Sequence, residues 1–398
     1  MKIKRLFLLA AIILLSSVQA FPQMVILSGP EKGTYNRFAA DIVKVLGEKN
    51  GIKLLSRTTA GSGFNFKELT DPSAASKIGI IQADYLSFMQ AQDRLNNTNK
   101  TGSIKVLMPL ATEEIHLVVK KSSGLKKLQD LSNKKVAIGS EAQGSFVTGK
   151  IMNERSKVNW IPTYDSYEML VRHLSEGNID AFLLVGSAPV KMLDIDPQVM
   201  VDEPTLLELD DFNGWAQYYE NDTIFRGDYR WLDKDIPTFS VRSLLVVNEA
   251  KLTADDKKAV EAIKTAIIQD LEILRKEGHP KWNEVVPPAG SVTAKPKSTT
   301  VSKSKSPAAA TGKSGIIYRV QIFSESDKQN VEDLIIKGKS YKTWVYVHAG
   351  AYRYTIGEFT SLSPASELQE LCRKSGYPQA FVVAFKNNVR SNDPKLFK

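Results

Sequence analysis

The chain lacks most of the features that announce a reaction. One cysteine, Cys372, stands among 398 residues. That excludes an intrachain disulfide and the cystine frameworks of small secreted domains. Cys372 follows Leu368 and Leu371 in a helical pattern and is expected to be a buried small apolar residue. The four histidines, His116, His173, His279 and His348, are scattered without metal-ligand spacing, so neither a metal nor a cofactor is expected. There is no Gly-x-Ser-x-Gly elbow and no His-Glu-x-x-His pair. No catalytic residue is therefore assigned. Past the first twenty residues no apolar run approaches the roughly eighteen needed to cross a bilayer.

Dispersed positive charge is also missing. The net charge is +9, but Lys2, Lys4 and Arg5 sit at the start, and Lys295, Lys297, Lys303, Lys305 and Lys313 lie in one tract without acids. The remainder is close to neutral, which argues against a nucleic-acid partner.

What is present begins with a secretory leader. MKIKR supplies the basic end, Leu6–Leu15 the short apolar stretch, and Val18-Gln19-Ala20 small residues for cleavage after Ala20. Residues 1–20 are read as a signal peptide, and the mature chain as periplasmic. No cysteine follows the apolar stretch, so a lipid anchor is not expected.

The stretch Gly29–Leu46 follows a short apolar strand and places Ala39, Ile42, Val43 and Leu46 on one helical face. Strand, glycine loop and helix N-terminus together suit an anion. Three residues separate Gly29 from Gly33 and no Lys-Ser/Thr pair follows, so this is not a P-loop. Strands near 52–58, 78–81, 104–110, 115–120, 134–139, 179–185 and 239–247 alternate with helical patterns, which reads as an α/β fold. Glu113-Glu114 falls between two of these strands, as a solvated connection. Asp165 with Glu168 reads as a capping box.

Four strand-end loops carry small and polar residues: Gly33–Asn36, Thr59–Asn65, Gln143–Ser145 and Gly186-Ser187. In open α/β sheets ligands bind beyond the carboxyl ends of the strands. Four such loops within residues 24–190 point to a ligand cleft between two lobes.

Residues 287–314 contain Pro, Ser, Thr, Ala, Gly and Lys with almost nothing apolar, the composition of a disordered basic linker. Beyond it, Ile317–Phe323 and Tyr352–Glu358 alternate with period two, Val331, Leu334 and Ile335 suggest a helical face, and Ala380–Phe385 a last strand. A small β-α-β-β-α-β domain over 315–390 is expected.

GTYNRFAADI, TTAGSGFNFKEL, IGIIQADY, HLVVKKSSGLKKLQDLSNKKVAIGSEAQGSF, EGNIDAFLLVGSAP and DKDIPTFSVRSLLVV, in this order, resemble the TAXI family of solute receptors that serve TRAP transporters. The resemblance covers about residues 24–282. It implies a two-lobed type II periplasmic-binding-protein fold over 21–286, with lobe I at about 21–110 and 205–286 and lobe II at about 111–204. Hinge crossings are then expected near Leu110–Ile115 and Glu203–Asp211. It also implies a small carboxylate or amino acid such as glutamate as ligand, and TRAP membrane subunits as partners. By position it carries over Thr34, Tyr35 and Asn36, Ser62, Gly63 and Phe64, Gln82, Gln143, Gly144 and Ser145, and Gly186 and Ser187. Trp231 stands in Tyr229-Arg230-Trp231-Leu232, where the family often has Tyr-x-Gly-Gln, and is carried as a further cleft residue.

YRVQIF, YRYTIGEF and GYPQAFVVAF resemble a SPOR domain. That resemblance implies a four-stranded antiparallel sheet backed by helices, binding denuded peptidoglycan glycan strands. Arg319, Gln321, Ser324, Trp344, Arg353 and Thr355 are its expected contact residues. The whole then reads as a solute receptor tethered to the cell wall. The alternative is a cell-wall scaffold or a peptidoglycan-remodelling enzyme whose receptor-like lobe has lost its solute.

Overall fold

The computed structural model describes residues 23–49, 53–195, 202–287, 315–391 and 393–397. The leader and almost all of the expected linker lie outside these residues. No helix among the described residues is long and apolar enough to cross a membrane.

Residues 24–286 build a mixed sheet in the order β2-β1-β3-β10-β4-β7-β5-β6. In the first half β1 (Met24–Leu27) pairs in parallel with β2 (Leu54–Arg57) and β3 (Ile78–Gln82). In the second, β5 (Lys135–Ala137) pairs in parallel with β6 (Ile161–Thr163) and β7 (Ala181–Gly186). Two antiparallel strands, β4 (Ile104–Lys120) and β10 (Ile236–Asn248), run through both halves. The early part of β4 pairs with β10 and its end, Glu114–Val119, with β7, while β8 (Pro204–Leu206) pairs with Val118–Lys120 on its other side. Two long strands thus serve two lobes, and the lobes meet where those strands cross.

Each lobe has its own core. In the first, α1 (Thr34–Lys49) buries Ala39, Ile42 and Leu46, as its spacing requires. They pack with Ile26 and Ile80, with Ile263 and Ile267 of α6 (Ala254–Gln269), and with Trp282. In the second, Leu117, Leu183 and Trp160 form one cluster and Phe182, Leu184, Tyr229 and Trp231 another. The remaining helices are α2 (Ser62–Thr70), α3 (Ala83–Asn96), α4 (Ser145–Ser156), α5 (Tyr167–Glu176) and α7 (Leu271–Glu277).

Three expectations are corrected. The second crossing lies inside β10, not near Glu203–Asp211: β9 (Glu220–Ile224) pairs with Ile236–Ser240, and β3 with Ser243–Val247. Residues 204–232 therefore belong to the second lobe, whose clusters take up Leu206, Trp215, Tyr229 and Trp231. An aromatic-rich segment needs a core, and this one was nearest. Glu113 and Glu114 are not in a connection either. They sit in the middle of β4 and are 5% and 4% exposed. Burial of Glu114 is made tolerable by Lys281, whose Nζ lies 2.6 Å from its Oε1. Finally, Asp165 does not cap α5. Ser166 takes the N-cap position, while Asp165 accepts from the Thr163 hydroxyl and pairs with His173 at 2.9 Å.

The C-terminal domain is one antiparallel sheet, β14-β15-β11-β16-β17, with α8 (Leu362–Arg373) on one face. Its strands are β11 (Ile316–Glu325), β14 (Thr343–His348), β15 (Ala351–Phe359), β16 (Phe381–Lys386) and β17 (Val389–Ser391). The sheet has five strands rather than the expected four, because Asn387 and Asn388 both take positive φ and turn the chain back as a hairpin. The helix expected around Val331 is absent. Leu334–Ile336 (β12) and Lys339–Tyr341 (β13) form a hairpin closed by Lys337-Gly338, with φ of 47° and 80°. A two-residue turn with both φ positive is the hairpin solution, and Gly338 was its signal. Cys372 is fully buried beside Leu368 and Val320, as its pattern implies.

Candidate functional site

A cavity of about 840 Å³ opens between the lobes. Its first wall is the loop and helix start Pro30–Tyr35 with Arg37, then Ala60–Ser62 and Gln82. The second is Gly144, Tyr167, Glu168, Leu184–Ser187 and the 189–194 segment. Glu113 lies on the crossing strand between them, and Ser326 and Asp327 of the C-terminal domain complete the mouth.

The polar floor is nearly dry. Ser62, Gln82 and Glu113 are 1%, 2% and 5% exposed. The Tyr35 hydroxyl donates to Glu113 Oε2 at 2.8 Å and lies 3.4 Å from Ser62 Oγ. Ser62 Oγ in turn accepts the Gln82 backbone N–H at 3.0 Å. Gln82 Oε1 is a buried acceptor with no partner. Burial raises the Glu113 carboxyl to about 8 against the opposing hydrogen bond from Tyr35, and raises the Tyr35 phenol well above its usual range with Glu113 adding to the effect. Behind the floor, Lys281 bridges Glu114 and Glu284 at 2.6 and 2.8 Å. Burial pulls Lys281 down, but the two carboxylates outweigh it and hold the ammonium charged.

The lining is not cationic. Glu31, Glu113, Glu168, Asp194 and Asp327 face Lys32, Arg37 and Lys191, and Arg37 is engaged by Asp327 at 2.8 Å. The floor offers acceptors, while the positive end of α1 and Lys32 lie toward the mouth.

At the back of the cavity the lobes touch. The Phe64 N–H donates to the Ala142 carbonyl at 2.9 Å. A Cβ on Gly63 would come 1.9 Å from the Glu141 carbonyl oxygen, and one on Gly144 1.6 Å from Gln82 Oε1. Close approach of backbone therefore demands glycine at 63, whereas at 144 the end of the Gln82 side chain would have to move aside. Asp84 of α3 adds a polar latch: its Oδ2 accepts from Thr148 at 2.6 Å and from the Tyr219 hydroxyl at 2.9 Å. Burial raises the Asp84 carboxyl, and these two donors act against that.

Of the residues singled out from the sequence, Thr34, Tyr35, Ser62, Gln82, Gly144, Gly186 and Ser187 line the cavity together. The others lie beside it. Asn36 turns to Thr58, donating at 2.9 Å. Gly63 is in the interlobe contact, and Phe64 is 38% exposed under the Arg57 guanidinium. Gln143 Oε1 accepts the Ser140 N–H, and Ser145 Oγ accepts the Val185 N–H at 2.9 Å behind the wall. Trp231 stacks on Tyr229 at 4.9 Å and donates to the Leu193 carbonyl. It is core of the second lobe and does not plug the cleft. Glu113, Tyr167, Glu168 and His279 were missed. For Glu113 a signal existed: the stretch Leu110–Ile115 holds no Gly, Pro, Asn or Asp to make a turn.

In the C-terminal domain Gln321, Arg353 and Thr355 share one sheet face and are 1%, 0% and 0% exposed, with Ser324 at 9%. Arg319 lies over the Trp344 ring at 4.3 Å, nearer the free end of that face.

Several solved structures align with part of this chain, at low identity. The substrate-binding protein of an amino acid ABC transporter aligns at 12% identity, covering 66% of this chain and 96% of that one, with a TM-score of 0.40. An amino acid ABC transporter substrate-binding protein from Streptococcus pneumoniae, bound to L-arginine, aligns at 14% identity over 66% and 91%, TM-score 0.37. A TctC solute-binding protein from Polaromonas aligns at 11% over 66% and 86%, TM-score 0.38. Residues 26–265, well over half of the chain, match one family across both lobes and both crossing strands: the protein belongs to the NMT1-like family.

Proposed function

We propose that this protein is a periplasmic solute receptor rather than an enzyme, and that its ligand is a small zwitterion of the amino-acid type, such as glutamate. The observation that carries this is the cavity floor. Gln82 Oε1 is a buried acceptor without a partner, Glu113 on the same floor becomes a carboxylate when an arriving ammonium replaces its proton, and among the described lining residues no buried cation answers a plain anion. An ammonium group suits the floor, and a carboxylate suits the start of α1 with Lys32 near the mouth. Rotation of the lobes about β4 and β10 would admit and enclose the ligand.

The TAXI-like motifs support delivery to TRAP-type membrane subunits. The SPOR-like pattern of the tail supports a tether to denuded peptidoglycan. Calorimetry on the mature chain, with amino acids set against their deaminated counterparts, tests the ligand. Glutamate-like amino acids are expected to bind and glutarate-like acids not to, with Glu113→Gln weakening binding at least tenfold. Binding by neither class would sink the receptor reading.

A further inference from the structure

The C-terminal domain does not stand clear of the cleft. One face of its sheet is covered by α8, through Val320, Ile356 and Leu368. The opposite face is pressed onto residues 225–228 of the second lobe. Arg353 Nη2 lies 2.7 Å from Asp228 Oδ1, with side chains 0% and 2% exposed. Gly227 approaches so closely that a Cβ would come 2.8 Å from Gln321 Nε2 and 2.9 Å from the Phe381 ring. Arg226 covers that ring at 4.0 Å, and Phe225 meets His348 edge-on at 5.4 Å.

The same domain also grips the first lobe. Asp327 pairs with Arg37 at the mouth of the cavity at 2.8 Å. The Tyr352 hydroxyl donates to the Gly278 carbonyl at 3.4 Å, and Gly350 rests directly on the Lys281 side chain, where no Cβ would fit. A rigid body fastened to both lobes removes their freedom to rotate about β4 and β10.

We propose that the C-terminal domain is a clamp. Docked, it holds the two lobes together, and its polar sheet face is occupied by residues 225–228. Undocked, it frees the lobes to open and leaves Gln321, Arg353 and Thr355 available to a polymer. What the two freed surfaces bind rests on the receptor-and-tether reading above; the clamp itself does not. The Arg353–Asp228 pair makes the device reversible. Each charge is well hydrated when apart, so docking exchanges hydration for one pair and is close to balanced.

The test uses the full mature chain with Asp228→Ala, Arg353→Met and Asp327→Ala, which attack the interface from both sides and at the mouth. Hydrogen exchange at the Phe64 amide reports the interlobe contact, and spin labels at Lys100→Cys and Ser175→Cys report the lobe separation. Asp228→Ala and Arg353→Met are expected to speed Phe64 exchange at least tenfold and broaden the label distance. Asp327→Ala, whose pair is partly exposed, is expected to give a smaller effect in the same direction. Far-ultraviolet dichroism checks that each variant is folded. Retention on amidase-treated peptidoglycan is expected to rise at least tenfold in Asp228→Ala, which leaves the sheet face intact. Unchanged exchange and distance in all folded variants would overturn the clamp. Faster exchange without retention would leave the clamp standing and remove the tether.

Discussion

Gly63→Ala separates interlobe packing from local stability. Gly63 lies in the first turn of α2 and needs no left-handed backbone, since only Gly61 beside it has a strongly positive φ. Alanine should therefore favour the helix itself by ~0.5–1 kcal/mol. The added methyl, however, would sit 1.9 Å from the Glu141 carbonyl oxygen of the other lobe, roughly half of a normal contact distance. That oxygen is backbone and cannot swing away. Overpacking of this kind costs about 1–3 kcal/mol. Separation of the loops also breaks the Phe64 N–H to Ala142 bond, worth ~1 kcal/mol. The closed arrangement should thus lose ~2–4 kcal/mol, which is roughly 30- to 1000-fold in the closing equilibrium. Small-angle scattering should show a larger radius of gyration, and ligand affinity should fall by a similar factor. The melting temperature of the first lobe should hold or rise. An unchanged scattering profile with unchanged affinity would refute the reasoning, because it would mean that the two loops do not meet.

Three further outcomes are expected. Between pH 4.5 and 8 the native chain holds a proton on Glu113 that the unfolded chain has released, so its contribution is complete below about 4.5 and disappears as pH rises through 8; Glu113→Gln should flatten the fall in urea-unfolding free energy by up to ~1.4 kcal/mol per pH unit in that window. Asp84→Ala strands the Thr148 and Tyr219 hydroxyls between the lobes at about 1–3 kcal/mol each, and should speed exchange of the Phe64 amide; no change would show that the latch is idle. Thr253 caps α6 in a reciprocal box with Asp256, so Thr253→Ala should lower the urea midpoint by an amount equivalent to ~1 kcal/mol without altering ligand affinity.

The candidate site was partly legible because strand-end loops announce themselves locally. Glycine and small polar residues after a strand point to a ligand edge, and Thr34, Tyr35, Ser62, Gln82, Gly144, Gly186 and Ser187 do meet across one cavity. Trp231 and Asn36 were harder to place, since a side chain at a loop can turn either way and its neighbours decide which. The C-terminal hairpin at Lys337-Gly338 was concealed by Val331, Leu334 and Ile335, whose spacing mimics a helix over too short a run to settle the period.

From the sequence alone came the features set by short-range physics: the periods of the long helices α1 and α6 and the strand alternation of the last domain. Tertiary structure decided whatever depends on partners distant in the chain. Glu114 is buried because Lys281, 167 positions away, neutralises it. Glu113 becomes the cavity floor because β4 runs unbroken through both lobes. Residues 204–232 join the second lobe because their aromatics fill its core. Arg353, whose alternation marks only a polar face, is hidden because Asp228 of another domain lies opposite. Burial of a charge is a property of the pair, and which two charges meet is fixed only once the chain has folded.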